Sequence, residues 1–190
     1  MANATVTLSG IVGVGLAIPI LGALIPKTGT GAMRWTSLDE AGWQQLQTST
    51  ATPVQIGFVL DGKDAYLPEQ RTPEMVWGVK VDAARFKKLR PDIYDNAKGD
   101  VPYPAVSMGF AIFSPICPHL GCRYDYQPAL SKFLCKCHGS TYSNDGAHLG
   151  GPATRGLDPL PLREKNGAAQ ITWIRYAPTI PDRLLVSYIN

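Results

Sequence analysis

The residues best suited to chemistry in this sequence are its thiols and imidazoles, and nearly all of them fall within one short window. All four cysteines and two of the three histidines lie between Cys117 and His138. They form two boxes, Cys117-Pro118-His119-Leu120-Gly121-Cys122 and Cys135-Lys136-Cys137-His138-Gly139-Ser140-Thr141-Tyr142. Each box offers a thiolate and an imidazole at close spacing, which indicates a metal centre held by two loops.

Two kinds of metal site use two cysteines and two histidines. One is a structural zinc ion, and the other is a [2Fe-2S] cluster with mixed ligands. Zinc fingers usually place like ligands in pairs, whereas each box here mixes cysteine with histidine. Each box also carries a further cysteine that four-coordinate zinc does not require. The pattern therefore favours the cluster over zinc.

The motif C-x-H-L-G-C followed by C-x-C-H-G-S-x-Y resembles the two cluster-binding boxes of Rieske iron-sulfur proteins of cytochrome bc (quinol:cytochrome c oxidoreductase) complexes. The resemblance implies one [2Fe-2S] cluster per chain, with Cys117 and Cys135 binding one iron through sulfur. It implies that His119 and His138 bind the other iron through nitrogen. Both histidines are then expected to act in quinol oxidation, because a ligand imidazole can exchange a proton together with the electron.

The resemblance also implies that Cys122 and Cys137 form a disulfide that joins the two boxes. Rieske oxygenases and their soluble ferredoxins look similar around the ligands but generally lack this extra cysteine pair. A disulfide persists best outside the reducing cytosol, so we expect the cluster domain to face the periplasm or an equivalent compartment.

Further residues near the boxes match positions that adjust the cluster. Ser140 and Tyr142 match two hydroxyl donors of the family, and donors to the sulfurs raise the reduction potential by stabilising the reduced state. The resemblance further implies that Gly151, Pro152 and Ala153 form a loop that covers the cluster. Without the resemblance, the same residues predict only a tight turn.

The N-terminal part of the chain is predicted to reach a membrane. Residues 4–26 contain no charged side chain and would cross the hydrocarbon layer as a helix. We therefore expect a transmembrane anchor at residues 1–26, with a cleaved secretory signal as the alternative. Residues 27–34, with two glycines and small side chains, are expected to form a flexible hinge. Lys27 and Arg34 after the anchor favour a cytoplasmic domain, but the disulfide argument carries more weight.

The remaining residues 35–190 are predicted to form a mainly β Rieske-type domain, an antiparallel β sandwich with a cluster-binding subdomain at about 106–160. Apolar runs predict strands, and Ser37 and Glu40 have the spacing of a capping box before a short helix. The predicted strands are Val54–Leu60, Met75–Val81, Phe110–Phe113, Lys132–Leu134 and Ile171–Ile174. A helical segment is predicted for Asp82–Arg90, and the residues after Tyr176 match nothing in the family pattern.

The resemblance implies an electron-transfer subunit that is catalytic only within its complex. Its expected partners are a cytochrome b subunit with quinol, a c-type cytochrome as the acceptor, and other subunits of a dimeric complex in a bacterial inner membrane or another energy-transducing membrane. Hinge motion would carry the cluster between them. The alternatives are a ferredoxin that supplies an oxygenase and a membrane-tethered zinc module. The formal charge of only +3, with scattered basic residues, argues against a nucleic-acid partner.

Overall fold

The computed structural model describes residues 15, 17, 33–62, 70–94 and 102–189. The predicted anchor, apart from residues 15 and 17, lies outside these ranges, as does the predicted hinge apart from residues 33 and 34. Within the described ranges, none of the helices combines the length and the apolar character needed to span a bilayer.

The described part of the chain is mainly β. In chain order its strands β1 to β13 are Thr36–Ser37, Val54–Gly62, Gln70–Lys80, Phe110–Phe113, Asp125–Gln127, Lys132–Leu134, Thr141–Ser143, His148–Gly150, Pro159–Leu160, Leu162–Lys165, Ala168–Ile171, Trp173–Tyr176 and Leu185–Ile189. Its α-helices α1 to α3 are Glu40–Thr48, Ala83–Leu89 and Pro91–Tyr94. A 3-10 turn covers Pro128–Leu130.

Every strand pair in the described residues is antiparallel, as predicted. Three sheets form a base, with the orders β2-β3-β4-β9, β1-β11-β10 and β12-β13. The fourth sheet, β5-β6-β7-β8, is built entirely from the part of the chain that contains the two boxes. The small sheet therefore supports the boxes, while the base supports the small sheet.

Aromatic packing fastens the small sheet to the base. Phe133 on β6 is fully buried, and its ring centroid lies 5.4 Å from that of Trp77 on β3. The rings of Tyr124 and Tyr126 contact the same phenyl ring at 5.3 and 5.2 Å. Tyr124 also donates a hydrogen bond of 2.5 Å from its buried hydroxyl to the carbonyl of Ser114. This cluster sets the position of the small sheet because packed aromatic rings tolerate little displacement.

Several predicted elements are confirmed with small changes of extent. β4 and β6 have the predicted bounds, and the helical prediction after residue 81 is confirmed as α2, with Asp82 as its N-cap. The predicted strand Ile171–Ile174 is wrong, because the chain changes sheets at the fully buried Thr172. The helix α1 begins after Asp39, whose carboxylate accepts a hydrogen bond from the amide of Gly42. Ser37 instead belongs to β1, so the predicted capping role is wrong.

Candidate metal centre

The two boxes fold into loops with the same hydrogen-bond pattern. In loop 1, residues Cys117–Cys122, the amide of Cys117 donates to the carbonyl of Cys122 at 2.7 Å, and Gly121 donates to the carbonyl of Cys117 at 3.0 Å. In loop 2, residues Cys135–Ser140, the equivalent bonds measure 2.8 and 2.9 Å. The fifth residue of each loop is a glycine, with φ of +80° at Gly121 and +77° at Gly139, a conformation that other residues rarely adopt.

These loops bring two thiols together in the interior. Cys117 and Cys135 are free cysteines with 1% and 2% of their surface exposed. The two thiols lie within hydrogen-bonding reach of one another. Burial raises the pKa of the Cys135 thiol, and the neighbouring Cys117 acts in the same direction. Two adjacent buried sulfur atoms can bind one metal cation between them, since metal binding replaces the thiol protons.

Two imidazoles lie on the outer side of the same loops. The ring centroids of His119 and His138 are 4.7 Å apart, and the rings meet edge to face at 87°. His138 is exposed and His119 is partly buried. The Nδ1 atom of His119 is buried without a hydrogen-bond partner among the described residues. A buried nitrogen of this kind needs a ligand, because an unpaired polar atom destabilises the folded protein.

The other two cysteines, Cys122 and Cys137, form the predicted disulfide, with their Cα atoms 6.6 Å apart. The sulfur atoms of this pair and of Cys135 all lie within 4.8 Å of one another. These three sulfurs do not form a metal site, because a disulfide sulfur offers no thiolate. The bond instead ties loop 1 to loop 2 directly beside the buried thiols.

Both predicted hydroxyls lie next to the thiols or their loops. The hydroxyl of Tyr142 is 3.1 Å from the sulfur of Cys117, and the residue is fully buried. Ser140 is also fully buried, and its hydroxyl oxygen accepts a hydrogen bond of 3.1 Å from the amide of Ala153. Ser140 therefore connects loop 2 to the predicted covering loop.

The segment Gly151–Ala153 packs tightly against loop 2. A Cβ atom at Gly151 would lie 2.5 Å from the Cα of Ser140 and 2.7 Å from the carbonyl oxygen of Gly139. Both distances are far below van der Waals contact, and the neighbours are backbone atoms that cannot move aside easily. Only glycine permits this close approach, so the covering loop is held directly on the backbone beside His138.

The donor set fits a [2Fe-2S] cluster with two thiolate and two imidazole ligands. The two buried thiols lie together, and the buried Nδ1 atom of His119 on the same pair of loops has no hydrogen-bond partner among the described residues. The remaining histidine, His148, is exposed on β8 beside the ring of Tyr142, at 5.8 Å between centroids. It thus adds no buried nitrogen to this set.

Two residues that support these loops, Arg155 and Thr179, were not among the predicted site residues. Arg155 follows the covering loop and is 6% exposed, and the amide of Thr179 donates to the carbonyl of Pro118 in loop 1 at 2.9 Å. A charged residue within an otherwise apolar and glycine-rich run was a usable signal for Arg155. No sequence signal marks Thr179, because its contact is between backbone atoms.

Several known proteins are similar to part of this chain. A family model described as the Rieske [2Fe-2S] domain matches residues 101–161. The chloroplastic cytochrome b6-f complex iron-sulfur subunit of Bigelowiella natans is 37% identical over 86 residues, which cover 43% of this chain and 34% of that protein. The menaquinol:cytochrome c reductase iron-sulfur subunit of Geobacillus thermodenitrificans is 29% identical over 122 residues, covering 62% and 57% respectively.

The chain spans less than two thirds of the length of these relatives. Among solved structures, the soluble domain of the Rieske protein II from Sulfolobus acidocaldarius aligns with 83% of this chain and 88% of its own, at 20% identity and a TM-score of 0.45. The family match covers both boxes and the covering loop. This chain therefore carries a Rieske [2Fe-2S] domain, within residues 101–161.

Proposed function

We propose that this chain is the electron-transfer subunit of a cytochrome bc-type complex, which takes electrons from quinol and passes them to a c-type cytochrome. The observation that carries the proposal is the pair of buried thiols and the pair of contacting imidazoles on two loops joined by a disulfide. The disulfide favours this class over a soluble ferredoxin, because the extra cysteine pair is generally lacking there. The names of the two iron-sulfur subunits compared above point in the same direction.

Each ligand has a distinct role in this proposal. Cys117 and Cys135 would hold one iron of a [2Fe-2S] cluster, and His119 and His138 would hold the other. The cluster would supply one-electron chemistry, at a potential raised by the neutral imidazoles. His138, being exposed, presents its outer ring nitrogen to a bound quinol and can take up a proton there.

The finer parts of the proposal concern the complex. A cytochrome b subunit provides the quinol pocket, and residues 1–26 anchor the chain in the membrane of a dimeric, multi-subunit assembly. The hinge at residues 27–34 lets the domain move between quinol and the c-type cytochrome. Because the domain contains a disulfide, it lies on the periplasmic or an equivalent side.

The cofactor is tested on the purified full chain by iron and sulfide analysis and by electron paramagnetic resonance after reduction. We expect iron with labile sulfide and the anisotropic signal of a mixed-ligand cluster, whereas zinc alone would refute the proposal. The variant His138→Ala is expected to lose the cluster, since one iron lacks a ligand. His148→Ala, the matched control on β8, is expected to keep it.

The partners are tested in membranes from the native host. We expect the tagged chain to co-purify with a cytochrome b and to be reduced by quinol in that complex, whereas co-purification with an oxygenase would refute the assignment. Replacing Gly29 and Gly31 by proline should slow reduction of the c-type cytochrome while cluster reduction by quinol persists. Unchanged turnover in that variant would remove the hinge from the proposal.

A further inference from the structure

The C-terminal segment Ala177–Arg183, here called the brace, connects β12 to β13 and contacts loop 1. Its residue Thr179 donates a backbone hydrogen bond of 2.9 Å to the carbonyl oxygen of Pro118. Pro118 lies between Cys117 and His119, so the bond acts on the backbone that carries both side chains. Thr179 has a φ of +68°, so a backbone conformation that is uncommon for threonine accompanies this contact.

Arg155, immediately beyond the covering loop, holds the brace through its guanidinium group. Its Nη1 atom donates to the carbonyl of Ile180 at 2.6 Å, and its Nη2 atom donates to the carbonyl of Ala177 at 2.9 Å. The same group forms two hydrogen bonds of 2.8 Å with the carboxylate of the buried Asp158. A planar guanidinium can satisfy a carboxylate and several carbonyls at once, which a lysine cannot do.

The far end of the brace is fixed by a second buried arginine. Arg183 is 4% exposed and donates from Nη2 to the carboxylate of Asp92 at 2.7 Å and to the carbonyl of Gly156 at 3.3 Å. Its Nε atom lies 3.3 Å from the carboxylate of Asp158. Arg155 and Arg183 therefore share the carboxylate of Asp158, which locks the brace to the segment that follows the covering loop.

Loop 1 borders a cavity on this side. A cavity of about 400 Å³ lies between Cys117, Pro118 and Gly121 of loop 1 and the side chains of Trp173 and Tyr176 on β12. Side chains that face a cavity lack the close packing that holds most interior groups in place. The backbone hydrogen bond from Thr179 to Pro118 therefore connects the brace directly to loop 1 at the edge of this cavity.

We propose that the brace is a positioning element for the metal centre, in which Thr179 sets the position of loop 1 and Arg155 couples it to the covering loop. This inference rests on the proposed function, because it gives the brace a role through the ligands of loop 1. When the brace loosens, Cys117 shifts relative to the hydroxyl of Tyr142, and the 3.1 Å contact between them weakens. The reduction potential then falls, since hydrogen bonds to sulfur stabilise the reduced state.

Two variants and two matched controls test the brace in the full chain. Arg155→Lys keeps the positive charge but cannot bond the carboxylate of Asp158 and the carbonyls of the brace at the same time. Thr179→Pro removes the amide that donates to loop 1. The first control is Arg175→Lys, since Arg175 is exposed on β12 and its side chain makes no hydrogen bond or ion pair with the described residues. The second is Thr179→Gly, which keeps the amide and tolerates the positive φ.

Three readouts are compared: iron content, reduction potential by voltammetry, and hydrogen exchange of peptides covering residues 115–122. We expect both variants to retain iron, to have a lower potential and to exchange faster in loop 1, with both controls matching the wild type. Wild-type potential and wild-type exchange in both variants would overturn the inference. Hydrogen exchange can be measured without a bound cluster. It therefore tests whether the brace holds loop 1 even if a variant loses its iron or the wild-type chain proves to bind none.

Discussion

The hydroxyl group of Tyr142 illustrates how a single side chain can adjust the metal centre. Burial and the hydrogen bond with Cys117 raise the pKa of Tyr142 well above its usual value. The hydroxyl therefore keeps its proton and donates to the sulfur once Cys117 is a thiolate. A donor in this position stabilises the additional negative charge of a reduced centre.

Replacing Tyr142 with phenylalanine should lower the reduction potential while the cluster is retained, because only the donor is lost. Voltammetry of the purified chain measures the shift, and iron analysis verifies the occupancy. Tyr124→Phe is the matched control, since its hydroxyl is equally buried but bonds the carbonyl of Ser114. The control should lose about 1 kcal/mol of stability and keep its potential. Equal potentials for Tyr142→Phe and the wild type would contradict the role given to this hydroxyl.

At the scale of elements, the covering loop depends on the absence of a side chain at Gly151. Gly151→Ala places a Cβ against the backbone of Gly139 and Ser140 and also strains a φ of +89°. Gly167→Ala, in the turn between β10 and β11, shares the positive φ of +76° but meets no atom within 4 Å. We expect the free energy of unfolding to fall about 1–3 kcal/mol further in Gly151→Ala, from overpacking alone. Denaturant titration of both variants measures it, and equal losses would show that the close approach is unimportant.

The strands were predictable wherever local pattern and packing agree. Phe110–Phe113 is an apolar run of four residues that are all buried, so its strand was correctly predicted. Ile171–Ile174 is also a largely apolar run of four residues, yet the chain leaves one sheet and enters another at Thr172. That change depends on which strands pair, and β11 pairs with β1 and β10, whereas β12 pairs with β13. A local apolar run does not indicate which distant segments its residues will pair with.

The same distinction applies to the candidate site. The types and spacing of the cysteines and histidines predicted a metal centre held by two loops, because these residue types carry the chemistry themselves, and the family resemblance added the disulfide. The brace was not predictable, because the side chain of Arg155 and the amide of Thr179 donate to backbone carbonyls, which every sequence possesses. Which carbonyl lies within reach of Arg155 depends on the complete fold.

For the whole molecule, buried charges connect parts of the chain that are far apart in sequence. Arg90 is 1% exposed and forms two hydrogen bonds with Asp92, at 3.0 and 3.1 Å, while Arg183 adds a third. Arg90 also donates to the carbonyls of Asp145 and Leu157. Helix α3, residues 156–158 beyond the covering loop, and the brace therefore meet at one set of charges.

This network predicts a defined pH dependence of stability. Burial acts to raise the pKa of Asp92, but the Arg90 and Arg183 guanidinium groups outweigh it and hold the pKa below its usual value. An unfolded aspartate titrates near pH ~3.9, so the stabilisation is complete above about pH 4 and is lost as the pH falls through the lower folded pKa. Asp92→Asn should therefore lose about 2 kcal/mol at neutral pH, between the values for exposed and buried pairs.

Urea titrations of the wild type and Asp92→Asn across the acid range test this prediction. The difference between the two proteins should shrink as the pH falls from about 4 through the lowered pKa of the folded Asp92 carboxyl. Asp61→Asn is the control, since Asp61 and its partner Arg71 are 76% and 75% exposed at a separation of 3.4 Å. A difference that stays constant with pH would show that Asp92 contributes through its shape rather than its charge.

The hydrogen bonds that shape each of the two loops lie within that loop, which affects how the sequence can change during evolution. Each loop closes its own amide-to-carbonyl pairs, so its shape does not depend on the identity of base side chains. Substitutions in the base can then accumulate during evolution with little effect on the reduction potential of the metal centre. Exceptions are the contacts of Phe133 with Trp77, of Thr179 with Pro118 and of Arg155 with the brace, where a substitution would move the two loops.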